Sequence, residues 1–310
     1  MKIQSFEELF QTIRTISPSH LAVAVAQDSD VLHSVDSAYK KGLITATLVG
    51  DEGQIRSIAD KENIDLAPYT ILHEGDKAEA CRCAVKLVAQ GKADLPMKGF
   101  VDTSVFLRAV LNREEGLACG KLISHVGLLS VGGFDRMFIV TDSAMNIAPS
   151  LEEKVEIIRN AVTVAHALGN ECPKVAVLCA VEKVNPKMPA TLDAQALTEM
   201  NQRGEISGCQ VYGPLAMDNA VSAQAAMHKG VDHPVAGHAD ILLAPDIEAG
   251  NILNKSMEYF AHAEKAGIIM GTKTPVVLTS RASSDEAKLN SIALAVLTAT
   301  RMKAGVEQDG

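Results

Sequence analysis

Residues 275–289 read PVVLTSRASSDEAKL, and this stretch decides the fold. The apolar, β-rich run Pro275–Leu278 stops at Thr279-Ser280-Arg281. Ser283-Ser284-Asp285-Glu286 then opens an apolar-periodic segment that runs to about Met302. A strand that passes through a short polar turn into a helix is one half of a βα unit. The first N–H groups of such a helix have no intrahelical partner, and the helix dipole adds about half a positive charge there. Ser280 and Arg281 sit at that point, and a guanidinium brings a rigid fork of donors suited to phosphate or carboxylate. A second reading of the same residues stays open. Ser283 with Glu286 three residues later forms a capping box, and Arg281 is then a surface charge.

Outward from this unit the pattern repeats. Apolar runs without alternation stand at LAVAVA (21–26), ATLVG (46–50), YTILH (69–73), FIVT (138–141), KVAVLCA (174–180), CQVYG (209–213), DILLAP (240–245), GIIMG (267–271) and PVVLT (275–279). Continuous Val/Ile/Leu/Ala runs are strands covered on both faces. Helical patterns lie between them at 76–90, 151–168, 192–202 and 215–228, and Ser5-x-x-Glu8 caps a first helix. Strands alternating with helices predict an α/β fold with mainly parallel sheets. Five glycines crowd 116–136, which reads as loop and antiparallel strand at a domain edge. No linker, repeat or low-complexity segment interrupts the chain. The expectation is two α/β domains joined by chain crossings, the first from 1–134 plus 275–310 and the second from 135–274.

Composition narrows the function. The 310 residues are 47% hydrophobic and 22% charged, with a formal net charge of −9 and no basic run. That argues against a nucleic-acid groove or an anionic membrane surface, though not against a phosphorylated ligand held in a locally positive pocket. The N-terminal MKIQSFEELFQTI lacks the apolar core of a signal peptide, and no apolar run approaches the ~20 residues that span a bilayer. The six cysteines have no C-x-x-C spacing and read as reduced thiols of a cytoplasmic protein. No G-x-G-x-x-G follows a strand. GLACGKL (116–122) is one residue short of a phosphate-binding P-loop and ends in Leu. His228, His233 and His238, spaced by five around Pro234 and Gly237, share no helical face and read as a loop rather than a metal site.

Three further segments carry candidate chemistry. In KGFVDTSVFLR (98–108), Gly99 permits a tight turn, Asp102, Thr103 or Ser104 can cap a helix, and Arg108 lies one turn above Ser104 on the same face. Thr103, Ser104 and Arg108 are substrate-binding candidates, the alternative being a capped helix with a surface arginine. In TDSAMNIAP (141–149), after a strand, Asp142 and Asn146 either meet a ligand at a strand's carboxyl end or simply build the turn before the capping box Ser150-x-x-Glu153. In PDIEAGNILNK (245–255), Asp246 is a natural N-cap. Gly250 and Asn251 are poor helix formers whose place in an early turn implies close approach of a ligand or of another segment.

With VNPKMPATLDAQAL, YGPLAMDNAVS and PVAGHADILLAPDIEAGNILNKS added, these segments resemble the phosphate acetyl/butyryltransferases, most closely the phosphate butyryltransferase branch. The resemblance runs from about Lys98 to the C-terminus and more loosely over the first hundred residues. It implies reversible acyl transfer between coenzyme A and inorganic phosphate, with acyl-CoA and phosphate as substrates. Neither cofactor nor metal is implied. It also implies a two-domain fold like the isocitrate/isopropylmalate dehydrogenases, with the active site in an interdomain cleft, and a homodimer or larger assembly.

By position, Ser280 and Arg281 match the family's Ser-Arg pair for phosphate and acyl phosphate, and Arg108 matches an arginine implicated with phosphate or coenzyme A. Asp246, Gly250 and Asn251 match its P-D-x-x-x-G-N segment. One position departs from the pattern. The acetyltransferase branch carries an aspartate seven residues after the serine as proposed base, and here Ala287 stands there. Asp285 is the catalytic candidate left nearby. Two alternatives belong to other classes. A metal- and NAD-dependent decarboxylating dehydrogenase on the same fold needs cleft aspartates, for which Asp218, Asp246 and Asp285 are loose candidates. A non-catalytic acyl-CoA or acyl-phosphate binder would bind without turnover.

Overall fold

A computed structural model describes residues 2–280 and 283–308. From the N-terminus the chain forms α1 (Phe6–Ile13), β1 (Ser19–Ala24), α2 (Ser29–Lys40), β2 (Ile44–Gly50), α3 (Glu52–Glu62), β3 (Thr70–His73), α4 (Lys77–Ala89), β4 (Leu95–Lys98) and α5 (Thr103–Val110). It continues through β5 (Ser124–Ser130), β6 (Met137–Thr141), α6 (Leu151–Ala167), β7 (Lys174–Leu178), α7 (Pro189–Gln202), β8 (Gln210–Leu215), α8 (Met217–Val221) and α9 (Ala223–His228). It closes with β9 (Ile241–Leu243), α10 (Ile247–Tyr259), β10 (Glu264–Met270), β11 (Val276–Val277) and α11 (Asp285–Gln308).

Two compact units emerge, each an α/β layer structure. The first comprises Phe6–Lys121 and Ala266–Gly310, the second Met1–Ser5 and Leu122–Lys265. The sequence reading set the crossings near 134/135 and 274/275. The units divide earlier at both places, at 121/122 and 265/266, the first because β5 pairs with β6 of the second unit.

In the first unit the strands run in the order β3-β2-β1-β4-β11-β10, all parallel except the antiparallel β10–β11 pair. Leu21, Ala22, Val23 and Ala24 of β1 are fully buried, which explains the unbroken apolar run. Asp28, Asp51 and Asp76 each cap the following helix by accepting a backbone N–H three residues on. Each parallel strand therefore enters its helix through a polar turn at one shared edge of the sheet.

The second unit orders its strands β5-β6-β9-β7-β8, with β5 antiparallel and the rest parallel. Leu129, Phe138, Val140, Ala176, Leu215 and Leu242 pack its core. The expected capping box at Ser150 and Glu153 starts α6.

Two local expectations need correction. The helix read over 215–228 is broken at Ser222, whose extended backbone ends α8 and whose hydroxyl accepts from Ala225 N to start α9. The hydroxyl competes with continued helix for a backbone donor. At α11 the cap is Ser284, which accepts from Ala287 N at 3.2 Å, rather than Ser283.

Candidate active site

In the first unit, the candidate residues gather where parallel strands β4 and β11 end. Lys98 closes β4, is buried, and donates from Nζ to the Gly99 and Val101 carbonyls at 3.2 and 3.1 Å. Gly99 is obligatory for spatial reasons: a Cβ there would stand 2.2 Å from the Val25 carbonyl oxygen and 2.5 Å from that of Ala24. Phe100 N donates to Val25 O at 2.8 Å, fixing the turn. Val25 itself is held at φ 56°, uncommon for a β-branched residue. Gln27, 8% exposed at the same rim, keeps Oε1 without a protein partner. Asp102 takes the N-cap position of α5 without a side-chain cap bond. Thr103 is half-buried, and Ser104 and Arg108 present exposed side chains.

At the end of β11, Ser280 is exposed and its carbonyl accepts from Ser283 N at 3.1 Å. Arg281 lies outside the described residues. Lys288, one turn into α11, is buried with its side chain 4% exposed. Its ammonium reaches the Ser283 carbonyl at 2.7 Å, Asp30 Oδ2 at 3.3 Å and Asp285 Oδ1 at 4.0 Å. A buried ammonium thus anchors the loop behind Ser280 to the start of α2. Asp285 has a side chain 59% exposed on the first turn of α11.

The second unit gathers Asp142, Asn146, Asp246, Gly250 and Asn251 at the carboxyl ends of β6 and β9. The Asp142 carboxylate accepts from the backbone N–H groups of Ala144, Met145 and Asn146 and from Asn146 Nδ2 at 2.6 Å. Asn146 Nδ2 also donates to Ile123 O at 2.9 Å. Asp246 caps α10 through Ala249 N at 2.8 Å. The close approach expected at Gly250 is to another segment: a Cβ there would lie 2.2 Å from the Asp142 carbonyl oxygen. Asn251 Nδ2 donates to Ser143 O at 3.1 Å. These five residues form one clamped turn.

The sequence reading missed His125, which neighbours this turn, and the buried Lys98 and Lys288. His125, on β5, shares a 2.9 Å hydrogen bond between Nδ1 and Ser143 Oγ, and its carbonyl accepts from Thr141 Oγ1 at 2.8 Å. β5 pairs with β6 up to Gly127 opposite Val140, and His125 lies two residues before that pair. Burial pushes the His125 imidazole below its ordinary pKa. The Asp142 carboxylate opposes that shift, and Lys265 adds to it. Lys265, itself lowered by burial, pairs with Glu258 at 2.5 Å. The signal for His125 was the hairpin register, hidden in a glycine-rich stretch. Lys98 and Lys288 carried none, because a lysine in a helix or strand end reads as surface.

Elsewhere, Cys81, Cys179 and Cys209 are pushed up to about 11 by burial, which makes them poor nucleophiles. His233 stacks on Tyr212 with ring centroids 3.9 Å apart. Among the described residues no cluster of three His, Cys, Asp or Glu is arranged to hold a metal ion, and no helix is long and apolar enough to cross a membrane.

The family described as phosphate acetyl/butaryl transferase matches residues 71–296. The phosphate butyryltransferase of Clostridium acetobutylicum is 52% identical over 297 residues, spanning 96% of this chain and 99% of that one. That of Clostridium beijerinckii is 50% identical over 300 residues, spanning 97% and 99%. Among solved structures, a branched-chain phosphotransacylase from Enterococcus faecalis superposes with a TM-score of 0.81 at 35% identity, covering 91% of this chain and 99% of that one.

Proposed function

The chain belongs to the phosphate acetyl/butaryl transferase family, and on that premise we propose that it moves a short-chain acyl group, butyryl or similar, between coenzyme A and inorganic phosphate. The observation that carries this reading is the full-length likeness to phosphate butyryltransferases. Acyl-CoA and phosphate are the substrates of this reading, and no resident cofactor or metal is called for. The dehydrogenase alternative would need a cluster of carboxylates. Asp142, Asp246 and Asp218 are instead each engaged by local N–H donors or by Lys229.

In the direction of acyl phosphate synthesis, a phosphate oxygen attacks the thioester carbonyl carbon. The C–O bond forms as the C–S bond breaks, and the leaving thiolate takes up the proton that the attacking hydrogen phosphate gives up. In this reading Ser280, Arg281 and the N-terminal end of α11 supply donors and positive potential for phosphate and for the oxyanion. Loss of one such donor typically costs about 10²–10³ in rate. Arg108, with Thr103 and Ser104 at the start of α5, adds positive charge and hydroxyls for phosphate or coenzyme A. Asp142, Asn146, Asp246, Gly250 and Asn251, at the carboxyl ends of β6 and β9, are the further substrate-binding candidates of this reading. No covalent enzyme intermediate is required, since bringing the two substrates together lowers the barrier by itself.

The isocitrate/isopropylmalate dehydrogenase-like fold and a cytoplasmic location belong to the same proposal, as does assembly into at least a homodimer. Supporting the dimer, α10 buries only Gly250 and exposes Ile252 (65%), while Tyr259 (59%) and Phe260 (85%) stand open at its end. An apolar helix face of this kind calls for a partner, and a second copy of the chain is the partner proposed. The test of function is thiol release from acetyl-, propionyl-, butyryl- and isobutyryl-CoA with and without phosphate. Phosphate-dependent release that is fastest for the four-carbon chains supports the reading. Phosphate-independent release, or none with any chain, overturns it.

A further inference from the structure

Three lysines are buried among the described residues: Lys98, Lys154 and Lys288. A buried ammonium costs free energy unless hydrogen bonds and counter-charges compensate it. Lys98 turns back on the Gly99 and Val101 carbonyls, and Lys154 sits 2.6 Å from the Asp193 carboxylate. Lys288 is compensated differently. Its closest acceptor among the described residues is a neutral group, the Ser283 carbonyl at 2.7 Å. Its carboxylate neighbours stand farther off, Asp30 at 3.3 Å and Asp285 at 4.0 Å, with side chains 55% and 59% exposed against 4% for Lys288. Water screens those two counter-charges, so a largely unneutralised positive charge lies just behind the first turn of α11.

The hydrogen bonds around this ammonium fix a direction. The helical ladder of α11 opens at Ser284, whose carbonyl accepts from Lys288 N at 3.0 Å and whose hydroxyl accepts from Ala287 N at 3.2 Å. The Ser283 carbonyl falls outside that ladder and accepts from Lys288 Nζ, while Ser283 N donates to the Ser280 carbonyl at 3.1 Å. Two hydrogen bonds thus connect the buried ammonium to the backbone of Ser280. In a planar trans peptide a C=O and the following N–H point opposite ways. With the Ser283 carbonyl drawn toward Lys288, the Ser284 N–H faces away from it, as a donor at the helix start.

We propose that Lys288 is a positioning residue for the phosphate substrate: it holds the backbone of Ser280 and Ser283, turns the Ser284 N–H toward the anion, and adds positive potential from beneath. The inference rests on the function proposed above. Asp30, Ser280, Ser283, Ser284 and Lys288 all lie in the first unit, so the device is complete within it. The helix dipole and the ammonium act in the same sense, both favouring a negative ligand. A buried charge is also screened by salt much less than a surface lysine. Packing alone does not call for a charge here. An apolar side chain of similar length would fill the space between α2 and α11, and exchanging a buried ionic group for one is often neutral or stabilising. The two carboxylates left behind are exposed and stay hydrated.

The test is steady-state thiol release from butyryl-CoA, with phosphate varied, for the parent and for Lys288→Met. The variant should raise KM for phosphate at least about tenfold, the effect of losing one charge-assisted interaction. KM for butyryl-CoA should stay within about threefold, and the melting temperature should be no lower than the parent's. A merely structural role would instead lower the melting temperature or raise both KM values together. A KM for phosphate within about twofold of the parent's, or an equal rise in both KM values, overturns the assignment. If Lys288→Met melts well below the parent, Lys288→Gln decides, since it keeps a donor for the Ser283 carbonyl and lacks the charge. It should raise KM for phosphate at least about fivefold, and a value within about twofold overturns the proposal. A parent without phosphate-dependent release overturns the function instead. The positioning role is then read from hydrogen exchange at the Ser283 and Ser284 amides: faster exchange in Lys288→Met supports it, and equal exchange overturns it.

Discussion

In the function proposed above, anion recognition rests on the charge of Arg281 and the hydroxyl of Ser280, and Asp285 and Glu286 beside them are assigned a lesser part. A lysine in place of Arg281 keeps the charge but loses the planar, two-pronged donor. Arg281→Lys is expected to lose at least about a hundredfold in phosphate-dependent thiol release, with an unchanged melting temperature. Retention within threefold would make Arg281 a surface charge. Asp285 is exposed and leans toward Lys288, so its main contribution is to the helix start, worth about 0.3–1 kcal/mol. Asp285→Asn should slow acyl phosphate turnover by less than tenfold. A hundredfold loss without a change in melting would instead make Asp285 the base.

At the scale of elements, α10 shows how a glycine can be read and what cannot be read from it. A glycine and an asparagine in the first helical turn signal a close approach, and that much is written in residues 250 and 251. The identity of the neighbour is not, because the Asp142 carbonyl is far away in the chain and meets Gly250 only through the pairing of β6 with β9. Gly250→Ala pushes a methyl into that carbonyl. It should cost about 1–3 kcal/mol of stability, read as a lower melting temperature, and should loosen the 142–146 turn enough to reduce turnover. A melting temperature equal to the parent's would show that the clamp is slack. The same contrast runs through the rest of the chain. Unbroken apolar runs announced the buried parallel strands, since a strand covered on both faces has no polar side to show. The break at Ser222 turned on whether its hydroxyl meets a backbone N–H, and the cap at Ser284 on which of two adjacent hydroxyls does, choices of geometry that the residue order alone leaves open. His125 was invisible for a related reason: its partner Ser143 is set by hairpin register, not by spacing along the chain.

For the whole molecule, the net charge of −9 means that a phosphorylated substrate would have to be held by local cations, and Arg108 on α5 presents an exposed side chain of that kind. Assembly is the second property of this scale. The exposed Ile252 and Phe260 predict a homodimer or larger species by light scattering at micromolar concentration, and Phe260→Glu together with Ile252→Glu should yield monomer. A monomeric parent would contradict that prediction. The central claim, that phosphate oxygen displaces coenzyme A from an acyl group without help from metal or NAD, is tested most directly by following inorganic phosphate itself. Phosphorus NMR of purified protein with butyryl-CoA and phosphate, in the presence of a chelator, should show an acyl phosphate signal growing in equal amount to the thiol released. Thiol release without acyl phosphate, or no reaction until a metal or NAD is supplied, would contradict it.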